Sequence, residues 1–326
     1  MERPPAPDPS PPLRGGRGED NGRNGNEQRK AETTLAMKDR EQIAERLAAS
    51  GYIADSELAT AISLMQRLRR PLLLEGEAGV GKTEVAKALA GVHQTELIRL
   101  QCYEGLDQSS ALYEWNYQRQ LLAIQAHKGA DADAIEDQIF SEKYLLERPL
   151  LAAIRRPKSP VLLIDEIDRA DDEFEAFLLE LLSDFQVSIP ELGTIAAITI
   201  PHVVLTSNGT RELSDALRRR CLYHYVDYPD VDREARIIMA RIDGADASLS
   251  LQIARMVENI RKEELRKVPG VAETLDWAAA LVGLDVRDLH DDPEAVHETL
   301  MCLLKTHEDK ARVTREVTER LLGKVA

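Results

Sequence analysis

Short apolar runs and helically spaced apolar positions alternate through the first two-thirds of the chain. After that only the helical spacing continues. The runs are Pro71-Leu72-Leu73-Leu74, Glu96–Cys102, Val161–Ile164, His202–Asn208 and Leu222–Val226. Val161-Leu162-Leu163-Ile164 has no polar position, the pattern of a strand buried on both faces of a parallel sheet. Between the runs, apolar residues recur every three or four positions. Gln42–Ala49 carries Ile43, Ala44 and Leu47, and a helix capped by Asp55 carries Leu58, Ile62, Met65 and Leu68. A later helix carries Phe174, Phe177, Leu178, Leu181 and Leu182. Ala123–Leu151 reads as helical with an exposed acidic segment, Asp131–Asp137. Val187–Pro190 and Ala197–Ile200, joined through Gly193, read as a small hairpin before the next core strand. From Asp230 onward no strand pattern remains, and Glu234–Ala240, Ser248–Arg261, Ala272–Leu284 and Pro293–Leu304 are all helical in spacing. The pattern predicts an α/β domain with a mostly parallel sheet over 36–229 and a smaller all-α domain over 230–326. Residues 1–35 are rich in Pro, Gly, Arg and Asn with almost nothing apolar to bury, which predicts a disordered tail.

Composition narrows the function. The chain has 326 residues and a net charge of −15. That acidic balance argues against a general nucleic-acid binder, which needs basic surface to displace counterions. Cys102, Cys221 and Cys302 are far apart and, like the seven histidines, show no metal spacing. Reduced thiols in a cytoplasmic protein account for the cysteines. No apolar run reaches membrane-spanning length, and no apolar signal core opens the chain. The expectation is a soluble cytoplasmic protein without a membrane partner.

The chemistry concentrates at Gly76-Glu77-Ala78-Gly79-Val80-Gly81-Lys82-Thr83, which lies between an apolar strand and the helix-forming Glu84–Ala90. A strand, a glycine-rich turn and a helix in that order make a phosphate-binding loop: amides converge on one anion and a helix dipole adds to them. Lys82 is placed to reach the β- and γ-phosphates of a nucleotide, ATP or GTP since no base-reading residue is identifiable, and the Thr83 hydroxyl to hold Mg²⁺. Asp165, at the end of the buried Val161–Ile164 run, is a second Mg²⁺ candidate, and Glu166 beside it is the candidate to polarise the attacking water. Asn208 ends the next core strand, where a neutral polar group can orient that water. In Ala216-Leu217-Arg218-Arg219-Arg220, the arginines either complement a helix dipole or, as Arg219 and Arg220, reach the nucleotide of a neighbouring subunit. The second use implies a ring.

Together these motifs resemble the AAA+ ATPases, and the MoxR family in particular. Gly76–Thr83 matches Walker A, Leu162-Leu163-Ile164-Asp165-Glu166 matches Walker B, and Asn208 stands at sensor 1. Ala216–Arg220 is similar to the arginine-finger segment, and Phe185–Pro190 to the stretch where this clade carries an extra hairpin. Cys102–Asp107 and Tyr113–Tyr117 resemble the subgroup encoded beside molybdenum hydroxylases such as aerobic carbon monoxide dehydrogenase. The resemblance, from about Asp39 to Ala280, implies a P-loop AAA+ three-layer αβα domain with a helical lid. It implies a homo-hexameric Mg-ATP-dependent remodelling chaperone, working with a von Willebrand factor A domain protein on a metalloenzyme client. In one respect the chain departs from the family. Pro269–Thr274 offers no sensor 2 arginine, and Lys267, before Pro269, does not take its place.

Two other function classes remain open from sequence. Restriction-associated AAA+ GTPases share the Ala-Leu-Arg-Arg-Arg pattern, which keeps a nucleic-acid motor in view despite the acidic charge. A nucleotide-gated scaffold with little turnover fits the same motifs. The aromatic cluster around Trp115 reads either as core packing or as a pore-facing grip.

Overall fold

The computed structural model describes residues 40–126 and 139–325. Its centre is a five-stranded parallel sheet in the order β2-β5-β8-β1-β9. The strands are β1 (Leu72–Glu75), β2 (Leu97–Gln101), β5 (Val161–Asp165), β8 (His202–Ser207) and β9 (Leu222–Tyr225). Every residue of β5 is buried, as its unbroken apolar run requires. Helices cover both faces. Leu58 and Ile62 of helix Ser56–Leu68 and Leu89 of helix Lys82–His93 pack on Leu72, Leu74, Leu163 and Val204. Leu150 of helix Pro149–Arg155 and Leu178 of helix Asp172–Asp184 pack on Leu73, Leu162, Ile164 and Leu205. Alternating residues of the strands thus feed two cores, which makes a three-layer αβα domain.

The parallel arrangement sends the carboxyl ends of β1, β8, β5 and β2 to one edge of the sheet. Register fixes which residues meet there: Glu75 lies opposite Ser207, and Gln101 opposite Asp165. In open α/β sheets this edge is where ligands bind.

Beyond Pro229 the described chain is helical, with a separate core centred on Ile238, Ile253, Trp277 and Leu281. Its first three helices are Val231–Arg241, Ala247–Arg261 and Val271–Gly283. They are tied together by a buried ion pair, in which Arg261 Nη1 and Nη2 each donate at 2.7 Å to the two Glu234 oxygens. Thr274 Oγ1 donates to the same carboxylate at 2.8 Å, and the Arg261 guanidinium lies 4.7 Å above the Tyr228 ring. Arg261 Nε also holds the carbonyl of Pro269 at 2.9 Å, which positions the turn leading into Val271–Gly283.

Several local expectations need correction. The proposed helix Ala123–Leu151 is instead helix Tyr117–Ala126, a single turn at Glu142–Tyr144, strand β4 (Leu145–Glu147) and helix Pro149–Arg155, with Asp131–Asp137 outside the described residues. Pro149 starts a helix because its missing N–H is not needed at the first position. Strand β4 pairs antiparallel with β3 (Tyr113–Trp115), a sheet too short to register in the apolar pattern. The hairpin exists, but as β6 (Gln186–Ile189) and β7 (Gly193–Ala196), so its second strand begins at the glycine rather than at Ala197. Two further helices, His307–Arg312 and Arg315–Leu322, close the lid core. The tail over 1–35 lies outside the described residues.

Candidate active site

β1 ends at Glu75, and the loop Gly76–Gly81 leads directly into helix Lys82–His93. At Gly76 a side chain is impossible, because a Cβ would stand 2.3 Å from the Val226 carbonyl oxygen of the next strand's exit. Gly79 adopts φ +83°, a left-handed conformation that glycine accepts without strain. Lys82 is buried, and its ammonium donates to the carbonyls of Gly76 and Glu77 at 2.7 Å each and to Asn208 Oδ1 at 2.9 Å. Burial depresses its pKa, and the nearby Asp168 and Asp165 carboxylates oppose that shift. Three bonds from one ammonium pin the loop to the end of β8.

The carboxylates stand across from it. Thr83 Oγ1 donates to Asp165 Oδ1 at 3.2 Å. Thr206 Oγ1 donates to the same oxygen at 2.5 Å and accepts the Glu166 N–H at 2.9 Å. One buried hydroxyl on β8 thereby fixes both acidic residues at the end of β5. Glu166 has φ 54° and ψ 51°, a left-handed conformation that costs a non-glycine residue stability and is typical of functional turns. Asn208 Nδ2 approaches Glu166 Oε1 at 3.5 Å. Asn208 therefore sits between Lys82 and Glu166. Asp168, just beyond, is buried, yet the hydrogen bonds from Thr210 and from the Asn208 N–H outweigh that burial and lower its pKa. It holds the Asn208 turn: Asn208 N donates at 3.2 Å and Thr210 N at 3.0 Å.

Sequence patterns missed a second set of groups on β2. Arg99 Nε and Nη2 donate to Asp165 Oδ2 at 3.0 and 2.5 Å. Gln101 Nε2 donates to Glu166 Oε2 at 3.1 Å. Both side chains emerge on the polar face of the strand, opposite the buried Ile98 and Leu100. The available signal was that alternation, two polar residues at the carboxyl end of a predicted parallel strand.

Lys82, Thr83, Arg99, Asp165, Glu166 and Asn208 line one cavity together with Val271 and Ala272 of the lid. Adjoining it is a more apolar cavity walled by Tyr52, Ile53, Val80 and Pro229. The lid is docked on the loop through main chain: Val271 N donates to Gly79 O at 2.9 Å. A cavity that sets one ammonium and two carboxylates beside a glycine-rich loop, adjoining a more apolar one, suits a nucleoside triphosphate.

Arg219 and Arg220 lie away from this cavity at the end of helix Asp215–Arg220. Their carbonyls accept from Arg70 Nη2 and Nε, at 2.5 and 3.1 Å respectively. Arg220 Nε donates to Ser183 Oγ at 2.5 Å, and Arg218 lies 3.5 Å from Glu75. The Arg219 side chain is exposed and has no hydrogen bond or ion pair among the described residues. Trp115 is buried and packs edge-on to Phe140 at 5.4 Å, so it belongs to the core, while Tyr117 is exposed. His93 and His202 stack at 4.4 Å inside the α/β domain.

Residues 71–221 match the AAA domain, dynein-related subfamily. An uncharacterised protein of Staphylococcus aureus is 28% identical over 246 residues, covering 72% of this chain and 84% of its own length. One from Staphylococcus saprophyticus is 24% identical over 285 residues, covering 83% of this chain and 98% of its own. Among solved structures, the RuvB Holliday junction branch migration motor of Thermotoga maritima aligns with 18% identity and a TM-score of 0.41. That alignment covers 75% of this chain and 66% of the motor, just under two thirds of the motor's length.

Proposed function

Because residues 71–221 are an AAA+ P-loop ATPase domain, followed by a helical region, we propose a Mg-ATP-dependent remodelling ATPase of the MoxR type that turns over at subunit boundaries of a homo-hexamer. The observation that carries the reading is the bridge Lys82–Asn208–Glu166, which joins the phosphate loop to the carboxylate that polarises water. In this reading the amides of Gly76–Thr83 and the Lys82 ammonium hold the β- and γ-phosphates. Glu166 accepts the proton of the attacking water, and Asn208 orients that water against the terminal phosphate.

Thr83 and Asp165 are the residues that would hold Mg²⁺. They are hard oxygen donors 3.2 Å apart, and among the described residues no cluster of three acidic or imidazole groups competes with them. A Mg²⁺ ion bound chiefly by phosphate oxygens and water needs no more protein ligands than these. When bound, the ion neutralises charge on the phosphates.

Arg219 is the better-placed arginine finger. It is exposed and uncommitted among the described residues, whereas Arg220 is tied to Ser183 of its own subunit. Resemblance to the molybdenum-hydroxylase subgroup supports a partner with a von Willebrand factor A domain and a metalloenzyme client in the cytoplasm.

Two experiments test the reading. Glu166→Gln is expected to bind Mg-ATP and to lose steady-state turnover; wild-type turnover would remove Glu166 from its role. Arg219→Ala mixed with Lys82→Ala is expected to regain partial activity, since boundaries between the two mutants combine an intact pocket with an intact finger. No recovery in assembled mixtures contradicts a finger acting across subunits.

A further inference from the structure

Deepening that nucleotide reading, on which this inference rests, we propose that Arg241 is a nucleotide-contacting residue supplied by the lid, meeting the ribose and α-phosphate end of the ligand.

Arg241 is the last residue of helix Val231–Arg241. It lines both cavities described above, the polar one at Lys82 and the apolar one at Tyr52. A nucleotide has an apolar base and an anionic phosphate chain, so its ribose and α-phosphate lie where the two cavities meet. The other cations near this groove are held elsewhere or stand at its far end. Arg233, two turns earlier on the same helix, donates to Ile53 O at 3.0 Å and to Asp55 at 2.7 Å, and its side chain is 14% exposed. It anchors the helix to the α/β domain and so sets where Arg241 stands. Arg99 is held on Asp165, and Lys82 stands at the far end by the loop carbonyls, the place of the β- and γ-phosphates in the reading above.

Arg241 is held weakly. Among the described residues its one ion-pair partner is Glu84, at 3.4 Å, and its side chain is 41% exposed. An exposed pair of this kind contributes little and exchanges readily. A phosphate oxygen at normal hydrogen-bond distance offers a stronger charge-assisted bond than this 3.4 Å contact. Glu84 is not stranded by the exchange, because Lys87 pairs with it at 2.5 Å. One ligand then spans Lys82 of the α/β domain and Arg241 of the lid, so binding draws the two domains together. Specificity for the phosphate count would not come from Arg241, because it faces the end of the chain nearest the sugar.

The test is calorimetric titration of the full chain with Mg-ADP and Mg-ATP, using wild type, Arg241→Ala, Arg241→Lys and Lys82→Ala. Arg241→Ala is expected to weaken ADP and ATP by the same factor, about 10-fold, from the loss of one charged hydrogen bond. Arg241→Lys is expected to recover part of that loss, and the melting temperature of ligand-free Arg241→Ala should equal wild type. Unchanged affinity for both nucleotides overturns the proposal, as does a loss confined to ATP, which would place the contact at the terminal phosphate. If wild type binds neither nucleotide, the ATPase reading itself fails. If wild type binds, Lys82→Ala does not, and Arg241→Ala matches wild type, the assignment of Arg241 alone is wrong.

Discussion

Gly270→Ala should separate the lid from the phosphate loop without unfolding either domain. Gly270 has φ −87° and ψ −177°, ordinary extended backbone that alanine adopts freely. The effect is therefore steric. A Cβ built there lies 2.7 Å from the Gly79 Cα and 2.8 Å from its carbonyl carbon and oxygen. Favourable carbon contacts begin near ~3.5 Å, so the two backbones must move apart by nearly ~1 Å. Overpacking of this kind costs about 1–3 kcal/mol. The displacement also stretches the bond from Val271 N to Gly79 O, now 2.9 Å, which contributes about 1 kcal/mol. The lid has its own core, so far-UV circular dichroism should match wild type. Titration with a fluorescent ADP should show affinity lower by at least roughly 10-fold, since the combined cost of about 2–4 kcal/mol exceeds the ~1.4 kcal/mol that a tenfold loss requires. Wild-type affinity together with a wild-type melting temperature would refute the claim that this glycine pair is the joint between lid and loop.

Two further outcomes follow from the packing. Glu234→Ala leaves the buried Arg261 guanidinium without its bidentate partner and should lower stability by about 3–5 kcal/mol in a urea titration; a loss below ~1 kcal/mol would show the network is not buried as described. His93 is pushed down to about 4 by burial, with the stacked His202 adding to the shift, and burial also lowers His202. Their ordinary pKa is about 6.5, so on acidification the unfolded chain takes up these protons first. The stability they confer is complete above pH 6.5 and drains as pH falls toward 4. Urea midpoints at pH 7.5 and pH 5 should therefore differ more for wild type than for His93→Asn; equal differences would contradict the shift.

The sheet and the loop were legible because both rest on short-range pattern. An unbroken run as short as Val161–Ile164 fits a doubly covered strand, and Gly76–Thr83 is continuous in sequence. Asp165, Glu166 and Asn208 could be placed because each ends a core strand. Arg99 and Gln101 could not be found the same way. Their partners are 66 and 65 residues away, and only the register of β2 against β5 brings them together. The Glu234–Arg261 pair was hidden for the same reason: on helical spacing alone both look like residues of a solvated face. Strands β3 and β4 are three residues each, too short for any period to show, so the helical spacing around them runs unbroken through Leu145–Glu147. The lid's grip on Gly79 is a main-chain contact, and no side-chain pattern reports it.

Loop, carboxylates and Asn208 meet in a single pocket at the exit of β1, β5 and β8, where the nucleotide is proposed to bind. The most direct measurement is the affinity of the full chain for Mg-ATP, alone and after Lys82→Ala. Removing an ammonium that holds two loop carbonyls and Asn208 should weaken binding at least ~100-fold, the scale of about 3 kcal/mol for a buried charged hydrogen-bonding group. Equal affinity of the two proteins, or no binding by wild type at millimolar nucleotide, would contradict it.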